Sequence, residues 1–251
     1  MKKIFILSLL VASQISYAQL SFNHLGVGFN YNGTGRPSSE LVNSNFNQED
    51  IAFASSQGSY GSLNRVFSSY EFGLKPSKYN FLFFDIDLLQ GAEYLYSSNY
   101  ESYQINDTNF SRNSYIDISS SLLGTKFMAR ITTPYKRRFI YNFGLGVEGL
   151  LAYNIDAEGS QSTSKNHWPS STYESNRESF YGEGLDTYGS VNLVQQVGLA
   201  FRLGKDESSF PLNQTYLETD FQIINNFTTM NKTWSKYRTY GLTLSLVYEI
   251  K

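Results

Sequence analysis

The sequence predicts an all-β fold, an antiparallel up-and-down transmembrane β-barrel of about eight strands. Three observations predict it: apolar and polar residues alternate along most of the chain, the N-terminus has the pattern of a secretion signal, and short and long connections alternate between the strands. Alternation with a period of two residues indicates a strand with one apolar face. Short turns at one rim and longer loops at the other are typical of bacterial outer-membrane barrels.

The N-terminus contains the three parts of a signal peptide. A basic start, Met1-Lys2-Lys3, precedes an apolar run from Ile4 to Ala12, and Ser16-Tyr17-Ala18 has the pattern of a cleavage site. We therefore expect residues 1–18 to be a signal peptide and residues 19–251 to form one barrel domain. No later run approaches the roughly 20 apolar residues that a membrane-spanning helix needs, so helical spans are not predicted.

Eight segments show the alternation. They span residues 20–31, 66–75, 80–96, 115–132, 138–154, 186–203, 214–225 and 237–250. In the fourth, the pattern changes phase near Leu122-Leu123, which predicts a β-bulge. The linking segments are rich in Ser, Asn, Gly and Tyr and are predicted to be solvated loops at one rim: 32–65, 97–114, 155–185 and 226–236. The first or third loop is long enough for a further hairpin, which leaves a ten-stranded barrel open.

Composition excludes several classes of function. The chain has no cysteine, so disulfides and metal-thiolate sites are excluded, and its net charge of -2 without a basic block argues against nucleic acid as a partner. Its two histidines, His24 and His167, fall at opposite rims of the predicted barrel and cannot share a metal ion or a catalytic triad. The sequence therefore predicts no enzyme activity, no catalytic residue, no cofactor and no metal site.

The content of the polar face predicts that it points inward. A water-exposed face would carry many Lys, Glu and Arg residues, but this face is dominated by Gly, Ser, Asn and Thr with a few charges. An eight-stranded barrel has an interior only just wide enough for side chains, which small residues suit. The apolar face would then contact lipid, with tyrosines near its ends at the level of the headgroups: Tyr31, Tyr94, Tyr96, Tyr153, Tyr240 and Tyr248.

Nine charged residues are predicted to line the lumen. They are Asp85, Asp87, Glu93, Lys126, Arg130, Glu148, Arg202, Glu218 and Asp220. Two interpretations stay open. The charges form ion pairs and hydrogen bonds that plug the barrel, since buried charges generally need partners, or they line a narrow conduit that favours cations, because acidic residues outnumber basic ones in this set.

Aromatic residues of the predicted loops are candidates for a binding surface. The set comprises Tyr100, Tyr103, Trp168, Tyr173, Tyr181 and Trp234. Exposed aromatic residues are enriched in binding surfaces for proteins and ligands. They are equally enriched at membrane interfaces, so packing of the loops on each other and on the headgroups explains them as well.

The first predicted strand carries a resemblance to a known group of proteins. Phe22-Asn23-His24-Leu25-Gly26-Val27-Gly28, soon after Ala18-Gln19, resembles the opening strand of small outer-membrane β-barrel proteins common in Bacteroidota, and the Tyr-rich, Cys-free body is similar too. The resemblance implies a location in the outer membrane of a Gram-negative bacterium and supplies no catalytic residues.

These observations predict an integral outer-membrane barrel with a non-enzymatic structural, surface-interaction or accessory role that uses its long extracellular loops. Its expected partners are outer-membrane lipid and another outer-membrane or surface protein or a glycan. Two alternative functions stay open. One is a narrow channel or solute-uptake pore, and the other is a secreted soluble β-barrel that binds a small apolar ligand.

Overall fold

A computed structural model describes most of the chain. The described residues are 20–34, 58–76, 79, 81–105, 108–133, 138–167, 172–185, 187–204, 211–229 and 238–250. The signal peptide predicted for residues 1–18 lies outside them. In these parts of the chain there is no helix with the length and apolar character needed to span a membrane.

Nine β-strands make up nearly all of the described chain. They are β1 (Leu20–Thr34), β2 (Gly58–Pro76), β3 (Leu82–Ile105), β4 (Thr108–Thr132), β5 (Phe139–His167), β6 (Thr172–Leu185), β7 (Tyr188–Arg202), β8 (Thr215–Thr229) and β9 (Arg238–Glu249). A short 3₁₀ helix, Leu212–Gln214, precedes β8.

Eight of the strands close into a ring. Each pairs antiparallel with the next in the order β1, β2, β3, β4, β5, β7, β8 and β9. The ring is completed by β9 and β1, which pair from His24 with Glu249 to Gly33 with Tyr240. Closure leaves no open edge in this ring. The predicted antiparallel up-and-down barrel is confirmed.

The remaining strand, β6, continues a strand of the ring. It pairs with the far half of β5, whereas β7 pairs with the near half. Ala152 pairs with Tyr188 and Ile155 with Leu185, so the register of β7 against β5 continues into the first pair of β6 and shifts by one residue between Ile155 and Ala157. The predicted number of eight strands around the barrel is therefore correct, and the described residues do not form a ring of ten.

Much of what the sequence predicts as loop is strand. Segment 97–114 holds the end of β3 and the start of β4, and segment 155–185 holds the end of β5 and all of β6. Segment 32–65 begins in β1 and ends in β2, segment 226–236 begins in β8, and the rest of both segments lies outside the described residues. These strand extensions are rich in Ser, Asn and Tyr, so they lack the apolar alternation that identifies a strand in sequence.

The extensions form a sheet on one side of the barrel mouth, which we call the wall. It comprises residues 94–105 of β3, 108–119 of β4, 156–167 of β5 and 172–185 of β6. The connections at the opposite end of the barrel are short and run through residues 77–81, 133–138 and 203–214. The wall therefore stands at the end opposite the short turns.

Below the wall, the outward faces of the ring form an apolar belt. Leu123, Phe127 and Ile131 on β4 are 45%, 56% and 55% exposed, and Leu145 on β5 and Leu244 on β9 are exposed to a similar degree. The stretch from Leu123 to Ile131 matches the roughly 9–11 residues that a tilted strand needs to cross a bilayer. The predicted outward apolar face is confirmed.

The bulge predicted near Leu122-Leu123 is wrong. Leu122 is buried in the lumen and Leu123 is exposed on the belt, so β4 keeps its alternation through this point. Both neighbours are apolar because both faces of the strand are apolar at this level.

The bulge occurs in β5 instead. Ser121 pairs with Tyr153 but Ser119 pairs with Asp156, so β5 carries one more residue than β4 between these pairs. Asn154 takes up the extra residue with a φ of 51°, a left-handed conformation that Asn tolerates better than most residues. Asn154 is consequently exposed.

Three apolar clusters lie in the lumen. The smallest contains Met128, Val194 and Ile224, and the other two lie at different heights. The lower one, near the short turns, contains Ile140, Ala200, Tyr216 and Val247. The upper one lies on the inner face of β2 to β5, at the foot of the wall, and contains Leu63, Phe67, Leu89, Leu95, Ile118, Leu122, Leu150, Ala152, Ile155 and Ala157. The inward face is therefore not uniformly polar.

Candidate functional site in the lumen and on the wall

Most of the predicted lumen charges form one layer, the charged layer, between the lower and upper apolar clusters. Others lie higher, at the level of the upper cluster. Eight of the predicted residues are buried: Asp85, Asp87, Glu93, Lys126, Arg130, Glu148, Glu218 and Asp220. Arg202 is half-buried near the short turns. The period-two alternation places them because successive side chains on a strand point to opposite faces.

Arg130 of β4 is the centre of the charged layer. Its side chain is 2% exposed, and its guanidinium forms ion pairs with Glu71 of β2, Asp85 of β3 and Glu218 of β8. The Nη2 atom lies 2.6 Å from Oε1 of Glu71. Because β8 lies across the ring from β2 and β3, one side chain bridges the lumen. The planar guanidinium, with five N–H donors, suits several carboxylates at once.

Amide and ammonium groups complete the layer. Asn142 donates from Nδ2 to Glu218 at 2.7 Å and to Asp220 at 3.1 Å. Lys126 Nζ lies 2.7 Å from Oδ2 of Asp87. These contacts link β3, β4, β5 and β8, so the layer holds the strands together from inside.

Two further contacts lie higher in the lumen. Asn192 donates to Glu148 at 2.8 Å. Arg65 forms an ion pair with Glu93, with Nε and Oε2 2.5 Å apart, among the apolar side chains of the upper cluster. Each of these carboxylates is buried and has a hydrogen-bond donor, which is the condition under which buried charges persist.

Sequence reasoning alone misses three members of this network. Glu71 and His24 alternate with apolar neighbours and could be found from the same pattern that identifies Asp85. Arg65 directly precedes the predicted start of the second strand, so it falls in a predicted loop. In the structure all three lie on the inner face of β1 or β2.

His24 is buried in the lumen and does not lie on the rim. Its Nε2 atom lies 2.8 Å from Oε1 of Glu71 and 3.3 Å from Oδ1 of Asp85. The ring lies against Gly73, where a Cβ atom would overlap it. His167 is at the far end of β5, where it pairs with Thr108 and Thr172. The two histidines are thus far apart, but His24 has partners that the sequence did not indicate.

Among the described residues, His24, Glu71 and Asp85 form a group that could hold a metal ion, with ligand atoms within 4.8 Å of one another. Arg130 contacts both carboxylates, and its Nη2 atom lies 3.1 Å from Nε2 of His24. A cationic side chain therefore already occupies the place of a metal. The three donor groups are therefore held by Arg130.

Arg202 differs from Arg130 although the sequence placed them together. Its guanidinium donates to the hydroxyl of Tyr216, with Nη2 at 2.8 Å, and lies over the Tyr216 ring. Tyr216 in turn donates to Glu249 at 3.3 Å. This group lies at the short-turn end of the barrel, below the charged layer.

Little space remains in the charged layer. A cavity of about 10 Å³ lies among Glu71, Asp87, Lys126, Arg130 and their neighbours. A cavity needs roughly 10–15 Å³ to hold one water molecule. Apolar side chains of the lower cluster and, on β2 to β5, of the upper cluster narrow the polar path further.

The predicted loop aromatics are distributed differently from the prediction. Tyr100 lies on the outward face of the wall and is 49% exposed. Tyr103 lies on β3, and Tyr173 and Tyr181 lie on β6, so these three are strand residues. Trp168 and Trp234 lie outside the described residues. At Tyr100, Tyr103, Tyr173 and Tyr181 the candidate binding surface is therefore formed by strands and not by loops.

The outward face of the wall turns polar directly above the belt. Tyr94 donates to Oδ1 of Asp117 at 2.7 Å. This hydrogen bond, with partial burial and the nearby charge of Asp117, raises the pKa of Tyr94 to about 12. A cavity of about 270 Å³ opens beside this pair and is lined also by Asp156 and Glu158. The Tyr94 hydroxyl therefore stays neutral at physiological pH.

Comparisons with known proteins give only distant matches. No protein-family model and no curated protein matches the chain. Among solved structures it is similar to Neisserial surface protein A, at 12% identity and a TM-score of 0.39 over 92% of this chain and 99% of that one. It is also similar to Ail, the attachment invasion locus protein of Yersinia pestis, at 9% identity and a TM-score of 0.23 over 91% of this chain and 98% of that one. These matches are to proteins of Proteobacteria, so the resemblance to Bacteroidota proteins gains no support from them.

The fold and location follow from the barrel itself. In lipid, every backbone polar group must be satisfied internally, which a closed ring of strands achieves. An outward apolar belt of bilayer height on such a ring identifies an outer-membrane barrel. The protein is therefore an outer-membrane β-barrel of a Gram-negative bacterium, as the sequence predicts.

Proposed function

We propose that this protein is a non-enzymatic, non-conducting outer-membrane barrel that acts at the cell surface through its wall, in a structural or accessory role. The observation that carries the proposal is the filled lumen beneath a tall sheet. The barrel interior is closed by ion pairs and apolar side chains, while the strands continue far beyond the length that a bilayer requires. Removal of residues 1–18 as a signal peptide belongs to the same proposal.

The orientation of the wall rests on the lengths of chain that link the bilayer-crossing parts of neighbouring strands, such as 94–119 on the wall side between β3 and β4 and 133–138 on the opposite side between β4 and β5. Bacterial outer-membrane barrels have short periplasmic turns and longer extracellular loops. The short connections, such as residues 133–138, therefore belong in the periplasm, and the wall belongs outside the cell. Its partners would be the lipid around the belt and a surface protein or glycan at the wall.

The structure gives less support to the two alternatives. A channel needs a continuous polar path, but the cavity among Glu71, Lys126 and Arg130 holds about one water molecule and Arg130 crosses the lumen. A soluble barrel would have to expose Leu123, Phe127 and their neighbours to water over the whole belt, which is far more than the few hundred Å² of contiguous apolar surface usual for soluble monomers.

Planar-bilayer recording tests the proposal. The mature protein, reconstituted at single-molecule density, should pass no steady current in either polarity, whereas an open porin in the same bilayer serves as the positive control. The matched variant is Leu122→Ser, which places a polar group in the upper apolar cluster, leaves Arg130 and its three carboxylates unchanged, and should also pass no steady current. A steady unitary conductance of the wild-type protein would replace this proposal with the channel alternative.

A further inference from the structure

We propose that the outward face of the wall binds the saccharide chains of glycolipids that surround the barrel in the same membrane leaflet. The inference rests on the proposed function, because it requires the wall to stand outside the cell. It names the partner class for that surface and the side of the wall that is used.

Strand pairing places the outward side chains of the wall in regular rows. From the belt upward, the rows across β3, β4 and β5 are Tyr94, Ser119 and Asp156; Tyr96, Asp117 and Glu158; Ser98, Tyr115 and Ser160; Tyr100, Asn113 and Ser162; and Ser102, Ser111 and Ser164. All of these residues except the buried Ser160 are at least partly exposed. On β6, the exposed residues Arg177 and Ser179 extend two of these rows. No aliphatic side chain occurs in these rows.

The wall continues the surface that contacts lipid. On β4, Leu123 is the top residue of the belt, and Ser119 and Asp117 follow on the same face of the same strand. Because the acyl chains of the surrounding lipids contact the belt, the polar groups of the same lipids must lie beside the outward face of the wall. This face therefore continues an interface that the belt already defines.

The height of the wall distinguishes between kinds of lipid. From Ser119 to Asn109, β4 rises about 34 Å along its axis, or about 25 Å along the membrane normal at the tilt of a typical barrel strand. The polar layer of a phospholipid leaflet is only about 5–8 Å thick. Phospholipid headgroups therefore reach only the lowest row or two, and the upper rows need a longer polar group on the lipid, which a saccharide chain supplies.

The chemistry of the upper rows suits such a chain. Serine hydroxyl and asparagine amide groups donate and accept hydrogen bonds, as sugar hydroxyl groups do. Some of this capacity is used within the wall, since Ser111 and Ser164 lie 2.6 Å apart. Tyr100 and Asn113 are exposed and adjacent in the fourth row. Surfaces rich in Tyr, Ser and Asn bind polar partners with adaptable hydrogen bonds around rigid aromatic rings.

Retention of glycolipids tests the proposal. The mature barrel is reconstituted in phospholipid nanodiscs with one of two probes: a lipopolysaccharide that carries its core saccharide, or the same lipid anchor without the saccharide. Bound glycolipid per barrel is counted by native mass spectrometry. The test variant is Tyr100→Ser with Asn113→Ala. The control is Tyr141→Ser, the same aromatic change on the outward face near the short turns, where Tyr141 is 62% exposed.

Wild type and the control should retain the saccharide-bearing lipid at least about tenfold better than the bare anchor, and the test variant should reduce this preference to about twofold or less. Equal retention of both probes by wild type would overturn the proposal, as would an unchanged preference in the test variant. Free core saccharide that competes as well as the lipid-linked form would also overturn it, since it would point to glycans on another surface. A barrel that fails this test without conducting contradicts this inference alone, whereas steady conductance contradicts the proposed function.

Discussion

Replacing Arg130 with alanine should destabilise the barrel more than any other single removal of a lumen cation. The change leaves Glu71, Asp85 and Glu218 buried without the guanidinium that bridges them. Removing one partner of a single buried ion pair costs about 3–5 kcal/mol. Because three carboxylates lose their cation together, we expect a loss near the upper end of this range, about 5 kcal/mol.

The measurement is the free energy of unfolding in phospholipid vesicles, from urea titration followed by far-ultraviolet circular dichroism. Arg130→Lys provides a milder variant if the alanine variant does not fold. Lysine keeps the charge but lacks the planar fork of donors, so we expect a loss of about half the size.

Arg202→Ala is the matched control. Arg202 contacts the hydroxyl and ring of Tyr216 near the short turns, and one partly exposed hydrogen bond with a cation–π contact contributes about 1–2 kcal/mol. The sequence places both arginines in one set of lumen charges, whereas the structure predicts a difference of several kcal/mol between the two variants. Equal losses in the two variants would refute the assignment of Arg130 as the bridge across the lumen.

Two further pairs of substitutions test the outward and inward faces. Leu145→Arg, in the middle of the belt on β5, should reduce stability by about 2–4 kcal/mol, whereas Tyr141→Arg near the rim should reduce it by about 0–1 kcal/mol, since the cost of a cation depends on its depth in lipid. Urea titration in vesicles measures both, and equal costs would place the belt elsewhere. Gly73→Ala should cost about 1–3 kcal/mol because its Cβ overlaps the His24 ring, whereas Gly149→Ala, with no atom within 4 Å of its Cβ, should change stability little. A neutral Gly73→Ala variant would show that His24 does not pack there.

The sequence could predict which side chains of the ring strands face lipid and which face the lumen, because this depends on one local rule. Side chains alternate along a strand, and lipid requires the apolar half to face outward. The rule places Leu145 and Leu244 on the belt and Asp85, Lys126 and Glu218 in the lumen without knowledge of any partner strand. The same rule would have included Glu71.

The wall could not be predicted because its stability does not come from apolar alternation. Residues such as Ser111 and Ser164 face each other across β4 and β5 and are held by main-chain pairing. In sequence, such residues cannot be told from a solvated loop. The bulge was misplaced for the opposite reason, because Leu122 is apolar but belongs to the lumen cluster.

The partners within the lumen could not be predicted either. Arg130 and Glu218 are 88 positions apart in the sequence and on strands across the ring. Their contact depends on the diameter of the barrel and on the register of every strand between them. His24 was assigned to the rim from its place near the start of β1, but the register of β1 against β2 brings it beside Gly73 and Glu71.

Single-cysteine labelling tests most directly the central claim, that the chain spans the outer membrane and continues as a wall on the cell surface. The chain has no cysteine, so each variant carries one thiol only. The sites are Asn109→Cys at the top of the wall, Leu145→Cys in the belt and Thr133→Cys at a short turn, each treated with a membrane-impermeant maleimide. The account predicts that Asn109→Cys reacts on intact cells, that Thr133→Cys reacts only after the outer membrane is opened, and that Leu145→Cys reacts only after unfolding. Labelling of Thr133→Cys on intact cells, or of Leu145→Cys in the folded protein, would contradict it.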